Sequence, residues 1–330
     1  MKLSNKKTVI FIISNILLLI GGLILAIRLG SVHINFSDIF NSIFSDSDSL
    51  EALLVRDVRL PRALCVVFTG GVLGITGAMI QGVTRNPIAE PSILGVSQGA
   101  TLIIAIFYAL GISINTQNVM IASLIGALAT GLIVLGFISR KANNGSIAKI
   151  LLAGTAMSTF LISLTTIIGL LSNQSQMIGF WVSGGFRNVN WTDFKLISIV
   201  AIIGVIIAIF LSPKINILNL GDDVAIGLGE SPEKIRLKTI LTIIPMCAAA
   251  VAVGKNIAFV GLIVPQIVRK LLGEDYRKNI PCAFILGAVL LTFADIAARM
   301  LFDPYETPIG VFTALIGVPF FISIARKERG

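Results

Sequence analysis

Charged side chains, histidine and cysteine are all scarce in this sequence, and each scarcity removes a class of function. Asp, Glu, Lys and Arg together make up 13% of the 330 residues, and histidine occurs once, as His33. A lone imidazole lacks the companions a metal site needs, so His33 reads as a solvated loop residue and no metal-ligand set is expected. The three cysteines, Cys65, Cys247 and Cys282, lie far apart inside apolar runs. That spacing suits neither a disulfide framework nor a thiolate metal site and leaves them as small packing residues. No G-x-x-x-x-G-K-[ST] pattern occurs, and the nearest fragment, Gly254-Lys255-Asn256, lacks the first glycine and the hydroxyl residue. The chain therefore has no phosphate-binding loop of its own. With no cluster of acid, base and nucleophile either, an enzyme is not expected.

Apolar surface is what the chain has in excess. Hydrophobic residues make up 55% of it and the mean hydropathy is +0.93, more than one soluble core could hide, so an all-α integral membrane protein is expected. The uncharged runs, divided at the polar tracts Gly111 to Asn118 and Ser172 to Gln176, give about ten membrane helices. They lie near residues 8–27, 63–84, 92–110, 119–139, 147–171, 194–211, 237–255, 257–268, 280–300 and 307–324, within one domain over residues 1–330. The first follows Lys2, Lys6 and Lys7, exceeds the core of a secretory signal and shows no small-residue cleavage site, so it reads as a retained helix. Placing the N-terminus inside puts 18 of the 26 basic residues on the cytoplasmic side. Both termini are accordingly expected in the cytoplasm, and the net charge of +9 reflects topology rather than nucleic-acid binding. Trp181, Trp191, Tyr276 and Tyr305 near segment ends read as interface anchors.

Several features depart from a plain bundle. Gly70 to Ala100 carries seven glycines, each costing about 1 kcal/mol in a soluble helix but allowing close backbone approach in lipid. Its Asn86, Pro87, Pro91 and Gly95 mark a hinge, and Gly261 to Pro265 supply a second helix interruption in the other half, the pattern of transporter sites. Arg56, Arg59 and Arg62 before the second segment, with Arg299 near the outer end of the ninth, oppose the positive-inside bias. Either they pair locally with Asp57, Asp295, Asp303 or Glu306, or they form a docking patch for an acidic soluble partner. Asp295 and Arg299, four apart on one helix, suit a local lock. No ionisable residue is expected at mid-membrane depth, which argues against a carrier driven by an ion gradient.

The chain resembles the FecCD family of permeases, the membrane subunits of ATP-driven importers for ferric siderophores, haem and cobalamin. The resemblance rests on Arg59-Leu60-Pro61-Arg62, GAMIQGVTRNPIAEPSILGVSQGA from Gly77 to Ala100, Leu152-Ala153-Gly154 and Trp181-Val182-Ser183-Gly184-Gly185. It continues through LGDDVAIGLG at Leu220 to Gly229, FVGLIVPQIVR at Phe259 to Arg269, Asp295 with Arg299, and ETPIGVFTALIGVPFF at Glu306 to Phe321. One departure is Gln266, where the family commonly has histidine. The resemblance implies a type II ABC importer permease in a bacterial cytoplasmic membrane. It would work with a second identical or related permease, two ATP-binding subunits holding ATP and Mg, and an extracytoplasmic binding protein, with no cofactor of its own. Residues 218–233 would form two short cytoplasmic coupling helices joined by a glycine turn, with Asp222, Asp223, Ala225, Ile226, Gly227, Leu228 and Gly229 meeting the ATPase. A partner would bury the apolar Ala225, Ile226 and Leu228. The path would run along Ala153 to Trp181, with Gln174, Ser175, Gln176 and Ser183 as polar lining or else as a hydrated outer loop. Ferric siderophore is the expected cargo, ahead of haem and cobalamin, and a secondary transporter is the alternative class.

Overall fold

Seven helices of the computed structural model are long and apolar enough to cross a bilayer, and no strand occurs among the described residues. The structure describes residues 2–30, 34, 39, 42, 49–112, 116–139, 147–302 and 305–327. His33, Arg140, Lys141 and Asp303 lie outside them.

The elements run as α1 (Lys2–Arg28), α2 (Leu50–Leu53), a π-helical turn Leu54–Arg59, α3 (Leu60–Thr84), a 3-10 turn Pro91–Leu94, α4 (Val96–Ala109) and α5 (Thr116–Ser139). There follow α6 (Ile147–Leu171), α7 (Ser175–Val182), α8 (Trp191–Asn219), α9 (Asp222–Gly227), α10 (Pro232–Gly254), α11 (Val260–Leu272), α12 (Tyr276–Met300) and α13 (Ile309–Lys327). Every segment drawn from hydropathy contains a helix, but not every helix is a full crossing. The 92–110 segment resolves into the Pro91–Leu94 turn and a helix of 14 residues, about 21 Å long against roughly 30 Å of hydrocarbon. The 257–268 segment likewise becomes α11, of 13 residues.

Helix ends follow local chemistry. Asn190 caps α8 by accepting the Thr192 and Asp193 N–H groups, while Asp193 Oδ2 accepts the Asn190 N–H at 2.9 Å, a reciprocal capping box. Ser231 and Asp275 cap α10 and α12, and Pro232 sits in the first turn of α10, where its missing N–H costs nothing.

The centre of the bundle is α3, buried along most of its length against α8, α10, α11 and α12. Its glycine row makes that approach possible. A Cβ on Gly74 would lie 2.2 Å from the Ala283 carbonyl oxygen, and one on Gly77 would lie 1.9 Å from that of Gly261. No side chain fits there, so backbone meets backbone. The pair Gly99 and Gly126 joins α4 to α5 in the same way, each Cβ position 2.4 Å from the other's carbonyl oxygen. At the periphery, α1, α6 and α8 leave broad apolar faces open, with Leu17, Leu152, Leu170 and Phe210 all more than 60% exposed. Such faces on a membrane helix are covered by lipid or by another subunit. Two expected interface anchors are instead internal, Tyr276 at 1% and Trp181 at 5% exposure, whereas Tyr305 is 78% exposed.

Candidate functional site

The hinge expected at Asn86, Pro87, Pro91, Gly95 and Pro265 is a single assembly in which two interrupted helices meet α3. Arg85 ends α3 in the left-handed conformation, and Asn86 Oδ1 accepts the Ile88 N–H at 3.0 Å, an Asx turn that reverses the chain. Pro91 opens the 3-10 turn, Gly95 closes it at φ 72°, and Pro265 is buried inside α11. The residue that ties these pieces together is Gln81, fully buried on α3. Its Nε2 donates to the carbonyls of Ala89 (3.3 Å), Gly261 (3.3 Å) and Leu262 (3.2 Å). Its Oε1 accepts from Gln266 Nε2 (3.2 Å) and Arg269 Nη2 (3.0 Å). Gln266 also donates to the Pro87 carbonyl and so acts as an amide crosslink between α11 and the turn. Sequence reading missed Gln81. The available signal was an amide inside an apolar helix, which must find partners where there is no water.

The expectation that no ionisable side chain lies at mid-depth is corrected by Glu90. Its carboxylate accepts the Phe259 N–H at 2.7 Å, just ahead of α11. Two residues on, a Cβ on Gly261 would lie 3.2 Å from the carbonyl oxygen of Leu73, near the middle of α3. The carboxylate is held by the N-terminal end of α11, a favourable place for negative charge.

The four arginines do not present an open outward patch, which corrects that expectation. Arg59 is 8% exposed and its Nη1 donates to the carbonyls of Ile27 (2.7 Å) and Arg28 (3.0 Å). Arg62 pairs with Asp295 at 2.9 Å and Glu306 at 2.6 Å. Arg299 pairs with Asp295 at 3.2 Å and donates to the carbonyls of Leu29 and Ala26. Arg56 Nε donates to the Ser42 carbonyl. The guanidiniums therefore stitch α1, α3, α12 and the segment before α13 together at one end of the bundle. Arg187 also reaches Glu306, at 3.1 Å. Burial alone would raise the Glu306 carboxyl, but Arg62 and Arg187 draw it below its ordinary value.

At the opposite end lies the expected coupling loop. One short helix forms there, α9, and the second expected short helix is the first turn of α10. The left-handed glycines are Gly221 (φ 127°) and Gly229 (φ 78°), while Gly227 is helical with nothing within 4 Å of its Cβ position. Asp222 is committed to Arg85 (2.7 Å) and Arg236 (2.8 Å), and Glu230 to Lys214 (3.3 Å). Ala225 is buried within the chain, contrary to the expectation that a partner buries it. Ile226 at 63% and Leu228 at 61% do stand exposed, joined by Leu220 at 68% and Val224 at 45%, and Asp223 is exposed beside them.

Between α4, α6 and α7 lies a cavity of about 630 Å³. Of the expected lining residues Ser175 and Ser183 border it, whereas Gln174 and Gln176 do not. Its remaining polar wall comes from Ser97, Gln98 and Thr101 at the start of α4, Thr165 and Thr166 on α6, and Asn256. Gln98 Oε1 is buried without a hydrogen-bond partner. Among the described residues no charged side chain borders this cavity, whose size falls within the roughly 300–1,000 Å³ typical of ligand sites. The α4 hydroxyls were hidden in what hydropathy read as a plain crossing. Thr101 and Thr165 satisfy their own donors on the preceding helical turn, at 2.8 Å each.

A model of the FecCD transport family matches residues 17–327 of the chain. The Iron(3+)-hydroxamate import system permease protein FhuB of Bacillus subtilis is 39% identical over 322 residues, covering 97% of this chain and 84% of that protein. The Fe(3+)-citrate import system permease protein YfmD of the same organism is 37% identical over 326 residues, covering 99% and 97% respectively. Among solved structures, an inward-facing ABC transporter assigned to the metal-chelate type superposes with a TM-score of 0.84 at 27% identity, covering 96% of this chain and 98% of that one.

Proposed function

Since this chain belongs to the FecCD transport family, it is an integral membrane permease, and we propose that it forms the translocation path of an ATP-driven importer for a ferric siderophore. The carrying observation is the cavity between α4, α6 and α7, whose largely apolar wall has hydroxyl and amide groups set into it. A mainly apolar wall with scattered neutral hydrogen-bonding groups suits a bulky chelate that must move on after entering. Relatives named for iron hydroxamate and iron citrate import support the choice of cargo.

In this reading α6 and its open apolar face meet a second permease subunit, identical or related, and the path lies between the two. The end carrying Asp222 faces the cytoplasm with both termini, the ten apolar segments sit in a bacterial cytoplasmic membrane with α4 and α11 entering it without a full crossing, and the end carrying Arg59 faces outward. A binding protein delivers cargo to the outward end of the bundle, which Arg59, Arg62 and Arg299 brace from within. Two separate ATP-binding subunits hold ATP and Mg and bury Leu220, Val224, Ile226 and Leu228 on each permease. Asp223, Gly227 and Gly229 belong to the same contact surface, while Asp222 and Ala225 brace it from inside. ATP binding moves α9 as a unit with α10 through the Asp222–Arg236 ion pair. The hinge around Gln81 then repacks the interrupted helices and alternates access, and the cargo crosses unchanged.

The test is ATP-dependent uptake of radiolabelled ferric chelates into vesicles holding this chain, its ATPase and its binding protein. Uptake that needs all three components supports the proposal. Uptake driven by an ion gradient without the ATPase refutes it, and uptake of haem or cobalamin alone replaces the cargo.

A further inference from the structure

Beside the large cavity, at the end of the bundle carrying Arg59, lies a second one of about 190 Å³ between the ends of α4, α5, α8 and α10. Tyr108, Trp181, Arg187, Asn188, Asp193 and Lys255 supply its polar wall. The two spaces adjoin, because the consecutive pairs Trp181–Val182 and Lys255–Asn256 are divided between their linings.

This small cavity sets a lysine beside an indole ring. Trp181 is 5% exposed, and its ring borders the space while its Nε1 is enclosed in the packing. The Lys255 ammonium lies 5.8 Å from the centre of the Trp181 ring and forms no ion pair among the described residues. Lys255, which directly follows α10, adopts φ 61°, a conformation that side-chain-bearing residues rarely take. Burial and the positive charges of Arg187 and Arg62 push its ammonium below the ordinary lysine value, with Glu306 opposing them. The one carboxylate in the wall, Asp193, turns Oδ2 to the Asn190 N–H. Arg187 spends two donors on Glu306, both at 3.1 Å. A half-buried ammonium with no acidic partner among the described residues asks for an oxygen acceptor carrying negative charge.

We propose that this cavity is a subsite for a carboxylate arm of the cargo, with the metal-chelate core seated in the adjoining larger cavity. The volume matches about six waters' share of liquid, enough for one carboxylate-bearing arm and too little for a whole chelate. The permease thereby favours carboxylate-bearing ferric chelates over uncharged hydroxamate ones. This rests on the importer reading given above.

The chain has two tryptophans, so Trp191→Phe leaves Trp181 as its one indole, and the Trp181 signal is read as the difference from a sample carrying both Trp181→Phe and Trp191→Phe in the same assembly. The permease with its ATPase subunits in lipid nanodiscs is titrated with gallium(III) citrate, a colourless substitute for the ferric complex, and with the gallium complex of ferrichrome, which has no carboxylate. The expected result is a saturable change in Trp181 emission with gallium citrate, at least tenfold weaker in Lys255→Gln, restored to within about twofold in Lys255→Arg, and tenfold weaker for the ferrichrome complex. Equal affinities for the two chelates, or a Lys255→Gln variant that binds like the parent, overturn the subsite. If instead only the isolated binding protein shifts Trp181 emission in a Lys255-dependent way, the carboxylate is an acidic side chain of that protein and the cargo assignment falls. The nanodisc measurement needs no ATP. Failure of vesicle uptake for every chelate would therefore sink the importer reading while leaving the titration standing.

Discussion

Replacing Gln81 by leucine removes the crosslink between α3, the Asn-Pro turn and α11 while keeping nearly the same volume. The wild-type amide makes three donor contacts to carbonyls at 3.2–3.3 Å and two acceptor contacts at 3.0 and 3.2 Å, all at zero exposure. Three carbonyls share one NH₂ group, so the donor side counts as two full bonds, which with the acceptor side makes about four. Interhelical hydrogen bonds in membranes average about 0.6 kcal/mol each, with a maximum near 1.7, and a buried group left unpaired costs about 1–3 kcal/mol. Gln266 keeps the Pro87 carbonyl, and the half-buried Arg269 regains some water. The orphaned carbonyls of Gly261 and Leu262 remain. The expected loss is about 2–4 kcal/mol. It is measured from the midpoint of reversible unfolding in mixed dodecyl maltoside and SDS micelles, followed by tryptophan emission. Gln81→Glu serves as the control, because a carboxylate still accepts from Arg269 but cannot donate to the carbonyls, so it should lose part of this amount. A Gln81→Leu variant within about 0.5 kcal/mol of wild type, the ordinary scatter of surface changes, would refute the idea that this amide holds the interrupted helices to α3.

Gly77→Ala should cost about 1–3 kcal/mol by forcing α3 from α11, with the Gly261 carbonyl 1.9 Å from the new methyl, whereas Gly21→Ala, with nothing within 4 Å, should be neutral or better in the same unfolding assay. Leu228→Ser and Ile226→Ser should abolish ATPase stimulation by the permease while leaving its unfolding midpoint unchanged. Gly227→Ala, with open space at its Cβ position but on the same contact surface, should keep the unfolding midpoint and lower ATPase stimulation, and Gly229→Ala, at φ 78°, should lose about 1 kcal/mol of stability. Because Arg62 and Arg187 hold the Glu306 carboxyl below its ordinary value, its contribution is full above the unfolded carboxylate value near pH 4.3 and is lost as pH falls through the lower folded value. Glu306→Gln should therefore flatten the acid side of the stability profile, and an unchanged profile would remove Glu306 from the account.

Sequence alone determined the membrane class, the approximate position of each helix, the hinge at Asn86 to Gly95, the lack of a nucleotide loop and the family. These are local properties. Hydropathy over about twenty residues decides burial in lipid, and proline or glycine decides backbone freedom at its own position. What escaped the sequence depends on which residues meet across long separations. The arginines suited a docking patch or a lock equally well until Arg62 was found against Asp295, 233 positions away. Ala225 and Ile226 are neighbours of like polarity, yet one is buried and the other exposed, because packing against α8 and α10 decides the face of α9. Gln81 and Glu90 took on meaning only when helix interruptions in the two halves came together, since an amide or carboxylate in a dry interior is defined by the backbone groups it satisfies. Only the tertiary arrangement brings the α4 hydroxyls to α6 and α7, and the Lys255 ammonium to Trp181, because a cavity belongs to the space between helices and to no single stretch of chain.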